Sequence, residues 1–110
     1  MVFTDHATRR FNDRVSPVAG RQDASTKANE LIDNAHKHGY LKREPGRWFR
    51  NTPRTTHEGI TFVSICRWVM AHGVRCLEEI VFVIDTLRCS NTRKWKVITV
   101  VAQYADDTRR

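Results

Sequence analysis

The opening of the chain combines a histidine with two arginines at helical spacing. His6, Arg10 and Arg14 recur every four residues, which would place an imidazole and two guanidinium groups along one side of a helix. Imidazole can exchange a proton near neutral pH, and arginine binds phosphate oxygens through paired N–H groups. The row therefore predicts a site for an anionic ligand such as phosphate. The alternative is an ordinary solvated helix surface.

Two helices are predicted in the N-terminal part of the chain, and the first of them carries His6, Arg10 and Arg14. The first spans residues 3–15, with Thr4 or Asp5 as a suitable N-cap, and the second spans residues 23–38 and ends before Gly39. Each has an apolar stripe at helical spacing that can anchor it to a core. The stripes are Phe3, Ala7, Phe11 and Val15 in the first helix, and Ala24, Ala28, Leu31, Ile32 and Ala35 in the second.

Residues 60–104 are predicted to be β-rich. Strands are expected at 60–65, 80–87 and 95–104, where β-branched and aromatic residues dominate, with a turn over 88–94. Regular alternation in the last strand would put Trp95, Val97, Thr99 and Val101 on one face. Residues 66–79 fit either a strand continuing into a loop or a short helix ending near His72 and Gly73.

The resulting expectation is one α+β domain over residues 1–110, with two N-terminal helices packed on a three- to four-stranded antiparallel sheet. Residues 105–110 are expected to form a frayed tail.

Residues 40–59 form a basic segment that also contains aromatic side chains. Two prolines and a glycine argue against a continuous helix, so we expect a loop with room for one short strand around Trp48. Cations bind phosphates, and an aromatic ring can stack on a base. The alternative is that Trp48 and Phe49 fill the core while the arginines face water. The predicted nucleic-acid-binding residues are Arg43, Arg47, Trp48, Arg50 and Arg54, with Arg88 and Lys96 from the β-rich part.

Composition restricts the class of partner. The 110 residues include 19 Lys plus Arg against 12 Asp plus Glu, giving a net charge of +7. This excess favours an anionic partner, which could be nucleic acid, an acidic protein or an anionic lipid surface. The apolar runs are strand-sized, so no membrane-spanning segment is expected. With no signal-like N-terminus and an odd number of cysteines, a cytoplasmic location is expected, or the host cytoplasm if the chain is viral.

Metal sites and cofactors are not expected. Cys66, His72, Cys76 and Cys89 have the spacing C-x5-H-x3-C-x12-C, which matches no common zinc finger, although zinc binding by these four residues stays an open alternative. Glu78 and Glu79 are adjacent, and adjacent strand residues face opposite sides. A carboxylate-based two-metal nuclease is therefore not favoured.

The His6-Ala7-x-x-Arg10-Phe11 pattern resembles two groups of proteins. One is a set of small phage proteins that open with a His-Ala-x-x-Arg-Phe helix. The other is the toxin-like domains of the barnase–colicin–RelE ribonuclease class, which are also similar in having helices before an antiparallel sheet. The late strand 97-VITVV-101 resembles their final strand, which often points a Thr or Ser into the active site. The equivalent residue here would be Thr99.

The resemblance implies metal-independent RNA cleavage. His6 would act as base or acid, Arg10 and Arg14 would hold the phosphate, and Thr99 would orient the phosphate or the 2′-hydroxyl. The second proton carrier would be His57 or Tyr104.

The alternative function is non-enzymatic. A small basic phage-type protein could bind a host protein or nucleic acid through Trp48, Phe49 and, if it is exposed, Trp68. An exposed β edge could also pair two copies into a homodimer.

Overall fold

The described part of the chain forms a five-stranded sheet with two α-helices, and the strand order is β1-β5-β4-β3-β2. The computed structural model describes residues 1–38, 41–42 and 59–104. The helices are α1 (Asp5–Arg14) and α2 (Arg21–Lys37). The strands are β1 (Val2–Phe3), β2 (Leu41–Lys42), β3 (Ile60–Ala71), β4 (Val74–Asp85) and β5 (Lys96–Tyr104).

The predicted α+β class is confirmed, since two N-terminal helices pack on a sheet. The three long strands of that sheet lie within residues 60–104. The strand count and pairing differ from the prediction. The three long strands are antiparallel, but two short strands flank them, and β1 runs parallel to β5, with Val2 opposite Lys96. A strand of two residues is too short to show the alternation that identifies strands in a sequence.

The helices differ from their predicted limits by a few residues. Thr4 caps α1, since its side chain accepts a hydrogen bond from the Ala7 amide, so the helix begins at Asp5 and Phe3 belongs to β1. The second helix begins at Arg21, two residues earlier than predicted. The predicted strand around Trp48 and the predicted tail over 105–110 lie outside the described residues. Neither of the two helices in the described part has the length and apolar character needed to cross a membrane.

The core lies between the helices and one face of the sheet. The Phe11 ring meets the Phe3 ring edge-on, with centroids 5.7 Å apart, and stacks against Phe82 at 6.4 Å. The predicted stripe of the first helix does face the core: Phe3, Ala7 and Phe11 are buried, and Val15 packs against the same cluster. Only Ala7 and Phe11 lie within α1 itself. Three alanines and two partly buried aliphatic residues of α2 complete this core; they are Ala24, Ala28, Ala35, Leu31 and Ile32. Because α2 contacts the sheet through small residues, it can approach the strands closely.

Residues 66–79 form a long β-hairpin. β3 continues to Ala71 and β4 begins at Val74, so only His72 and Gly73 lie between the strands. Both have positive φ, 53° and 76°, as a two-residue type I′ turn requires. The helical alternative is therefore wrong. The first strand does continue, as the other alternative expected, but a second strand beginning at Val74 takes the place of the expected loop. The glycine accounts for the chain reversal, because it adopts positive φ without steric cost.

Replacing Gly73 with alanine is expected to lower the free energy of unfolding by about 1 kcal/mol, because a Cβ is disfavoured at its φ of 76°. His72→Asn is the matched variant, since asparagine is preferred at the first turn position, and it should be neutral or slightly stabilising. Urea unfolding followed by circular dichroism measures both values. Equal effects of the two substitutions would contradict the turn assignment.

Candidate functional site

The first helix lies along the outer edge of β5. At its start, the Thr4 amide and hydroxyl both donate to the Val97 carbonyl at 3.2 Å. At its end, Arg14 Nη1 donates to the Val100 carbonyl at 2.9 Å. These bonds satisfy backbone groups that an open sheet edge would leave exposed. The helix is therefore held at both ends against one strand, and its side chains have defined positions relative to that strand.

His6 contacts Thr99 at this edge, although 93 residues separate the two in the chain. His6 Nε2 lies 3.3 Å from Thr99 Oγ1, within hydrogen-bond distance, and the tautomer of the imidazole decides which atom donates. The histidine is exposed and the threonine is only 9% exposed. An accessible imidazole thus lies beside a nearly buried, fixed hydroxyl group.

A β-bulge in β5 changes which side chains share a face. Thr99 pairs with Val83, but Val97 pairs with Ile84, so Ile98 is an extra residue in β5. Val97 and Val100 consequently both belong to the core beneath the helices. The predicted regular alternation over residues 95–104 is wrong for this reason. A bulge depends on pairing with a distant strand, so local periodicity does not reveal it.

The two arginines of the predicted row have different surroundings. Arg10 follows His6 by one helical turn, about 6 Å along the axis, and is partly exposed. Within the described part of the chain it makes no hydrogen bond or ion pair. Arg14 uses one of its five N–H donors on Val100, which gives it a role in holding the helix. Arg10 is thus the cation beside His6 that is available to a ligand.

Two further polar clusters were not expected from the sequence. Arg67 Nε pairs with Glu78 Oε1 at 2.8 Å, and its Nη2 donates to the Val15 carbonyl. On the opposite face of the sheet, Ser64 Oγ donates to Glu79 Oε2 at 2.5 Å. The two adjacent glutamates therefore have separate partners on separate faces, as strand alternation predicts. Strand alternation could have predicted that the two glutamates lie on opposite faces. It could not have predicted their partners, because these depend on which strands pair.

The remaining predicted residues do not gather around His6. Arg88 packs beside Gly59 at the start of β3, and β3 is separated from β5 by β4. Lys96 is exposed at the start of β5, three residues before Thr99. Tyr104 lies five residues beyond Thr99 on the same strand, roughly 16 Å away, so it does not share a site with His6. Outside the described residues lie Arg43, Arg47, Trp48, Phe49, Arg50, Arg54 and His57.

The described ranges contain no group of three or more His, Cys, Asp or Glu side chains that could hold a metal ion. The zinc alternative involving Cys66, His72, Cys76 and Cys89 therefore gains no support from their positions. A cavity of about 370 Å³ lies between α2 and β3, lined by residues such as Leu31, Ala35 and Ile65. His6 and Thr99 do not line that cavity; they form a surface site at the sheet edge.

Comparison of the chain with protein-family models, curated proteins and solved structures found no match. The site at the α1–β5 edge is therefore defined by its own geometry: an exposed imidazole, a fixed hydroxyl group and an adjacent guanidinium.

Proposed function

We propose that the protein is an RNA-directed, metal-independent endoribonuclease whose site is the α1–β5 edge. The observation that carries the proposal is the 3.3 Å contact between His6 Nε2 and Thr99 Oγ1, with Arg10 one helical turn further along. These groups supply a proton carrier, a hydrogen-bond donor and a cation. RNA cleavage without a metal needs groups of these three kinds.

The proposed reaction is attack by the ribose 2′-hydroxyl on the neighbouring phosphorus. His6 Nε2 takes the 2′-hydroxyl proton as the O2′–P bond forms, and the bond from phosphorus to the 5′-oxygen breaks. Water or a second side chain returns a proton to the departing 5′-oxygen, and His57 is the sequence candidate for that role. The products are a 2′,3′-cyclic phosphate and a 5′-hydroxyl end.

Thr99 and Arg10 stabilise the charge that develops on the phosphate. The Thr99 oxygen is held in place by its strand. When the substrate binds, the hydroxyl proton turns from His6 Nε2 to a phosphate oxygen, which frees the Nε2 lone pair for the 2′-hydroxyl proton. The Arg10 guanidinium presents paired N–H groups to the other oxygens. Arg14 is a positioning residue, because its bond to the Val100 carbonyl holds the end of the helix.

The net charge of +7 supports an RNA substrate, since cationic surfaces attract the phosphate backbone. The arginines and the tryptophan of residues 43–54 would extend RNA contacts beyond the cleavage site. The resemblance to small phage proteins and toxin-like ribonuclease domains is part of this proposal. The proposal also places the protein's action in the cytoplasm, or in the host cytoplasm if the chain is viral.

The proposal is tested with the purified protein and a fluorescently labelled RNA oligonucleotide in excess EDTA. We expect cleavage that produces 2′,3′-cyclic phosphate ends, identified by mass spectrometry. The same oligonucleotide with 2′-O-methyl groups at every ribose is the matched control, and it should remain intact because it has no 2′-hydroxyl nucleophile.

Two results would contradict the cleavage proposal. Cleavage of the 2′-O-methyl oligonucleotide would exclude attack by the 2′-hydroxyl. Absence of cleavage, with retained binding of the methylated oligonucleotide in fluorescence anisotropy, would favour the non-enzymatic alternative of a nucleic-acid-binding protein.

A further inference from the structure

The distal part of the β3–β4 hairpin extends beyond its neighbouring strands. The pairing of β4 with β5 ends at Glu78, and the pairing of β3 with β2 ends at Ile65. Among the described strands, residues 68–77 therefore pair only with each other, and we call this two-stranded segment the arm. Two strands alone do not cover their own apolar side chains. The arm consequently presents such side chains to other molecules.

Exposed apolar side chains are concentrated on the arm. Trp68, Met70 and Val74 are 47%, 69% and 60% exposed. They are three of the six large exposed hydrophobic residues in the described ranges, and they lie within seven consecutive positions. Trp68 and Met70 lie on one face of the arm, whereas Val74, which pairs with Ala71, lies on the other. Single exposed apolar residues are normal on protein surfaces, but neighbours such as Trp68 and Met70 mark an interaction site.

The arm also has an ordered aromatic–cation pair. Trp68 and Met70 lie on the same face of β3, and Arg75 lies opposite Met70 on the paired strand. The Arg75 guanidinium carbon is 4.5 Å from the centroid of the Trp68 ring, a cation–π contact that restrains both side chains. Restraint before binding reduces the entropy lost on association. Tryptophan, arginine and methionine are also enriched in protein–protein interfaces.

The charge of the arm selects among partners. Residues 68–77 contain Arg75 and His72 but no aspartate or glutamate, and the next carboxylate, Glu78, already pairs with Arg67. A positive, apolar surface complements an acidic, apolar one. A second copy of the chain would bring another net charge of +7 to the interface, which disfavours self-association. The apolar Met70 side chain, 69% exposed on the same face as Trp68, is suited to a protein surface rather than to the polar backbone of RNA.

We propose that the arm is a docking surface for an acidic protein partner. Trp68 and Met70 would enter an apolar depression on that partner, and carboxylates around the depression would pair with Arg75. The surface does not involve His6 or Thr99, so this inference stands or fails independently of the proposed RNA cleavage.

The test uses three labelled synthetic peptides of equal length, with alternating Glu–Leu, Glu–Ser or Lys–Leu sequences, and measures binding by fluorescence anisotropy. We expect the Glu–Leu peptide to bind most tightly, because it alone is both acidic and apolar. Trp68→Ala and Arg75→Glu should each weaken its binding by about tenfold or more. The matched controls are Leu87→Ala, another exposed apolar residue, and Arg93→Glu, another exposed arginine, and both should have smaller effects.

Five outcomes would overturn the inference. If the Glu–Leu peptide does not bind, the arm is not a docking surface for an acidic, apolar partner. Equal binding of Glu–Ser, or equal losses in Arg75→Glu and Arg93→Glu, would reduce the interaction to net charge. Binding of labelled oligouridine that requires Trp68 would assign the arm to RNA. Self-association in sedimentation velocity that requires Trp68 would assign it to a second copy.

Circular dichroism of each variant establishes that it is folded. Met70→Ser is the second variant for the apolar contact, because this exposed side chain can change without disturbing the aromatic–cation pair. It should also weaken Glu–Leu binding relative to Leu87→Ala.

Discussion

Replacing His6 with glutamine is expected to reduce metal-free RNA cleavage by about two to four orders of magnitude, the usual contribution of a general acid or base. Glutamine retains a polar side chain that can reach Thr99 Oγ1, but it cannot carry a proton between substrate atoms. Because His6 is exposed and lies outside the apolar core, folding should be unaffected. Cleavage rates are measured under single-turnover conditions in EDTA, and circular dichroism verifies the fold.

His36→Gln provides the matched control for this substitution. His36 is also an exposed helical histidine, but it lies in the last turn of α2 rather than beside β5. The His36→Gln variant should cleave RNA at the same rate as the unaltered protein. Equal cleavage by the two variants would exclude His6 as the proton carrier, whereas equal losses would indicate a general effect of removing a histidine.

The parts of the fold that depend on local periodicity could be predicted from the sequence. Phe3, Ala7 and Phe11 recur at helical spacing, and all three are buried, although Phe3 lies in β1. The apolar positions of α2 were identified in the same way. Both patterns repeat over several turns, so an error of one or two residues at a helix end does not change which face is buried.

The parts that depend on distant pairing could not be predicted. The extra residue Ile98 exists only in relation to β4, and it puts Val97 and Val100 on the same face. The two strands of the hairpin were ambiguous because the stretch around Gly73 also fits the end of a helix. Positive φ at both turn residues is a backbone property that the histidine itself does not reveal.

The site was predicted in part. The spacing of His6 and Arg10 placed them on one helix face, but only the resemblance to toxin-like domains suggested Thr99. The 3.3 Å contact requires α1 to lie on the β5 edge, and Thr4 and Arg14 hold it there through backbone carbonyls of β5. The sequence does not reveal which carbonyls accept these hydrogen bonds, because every residue has a backbone carbonyl.

Replacing Phe11 with alanine is expected to lower the free energy of unfolding by about 3–5 kcal/mol. The ring is fully buried and contacts both Phe3 and Phe82, so its removal leaves a cavity between α1 and the sheet. A loss of this size is a large share of the stability of a small domain. Urea unfolding with a linear extrapolation measures it. Arg9→Ala, an exposed change on the same helix, should stay within about 0.5 kcal/mol of the unaltered protein.

The same substitution connects packing to the proposed chemistry. Phe11 follows His6 by five residues and anchors α1, so a cavity beneath it should shift the helix and disturb the contact between His6 and Thr99. Phe11→Leu retains much of the buried volume and should cost less than Phe11→Ala. Cleavage should therefore be slowed more by alanine than by leucine, measured where both variants remain folded. If both were folded and equally active, the packing of Phe11 would not set the position of His6.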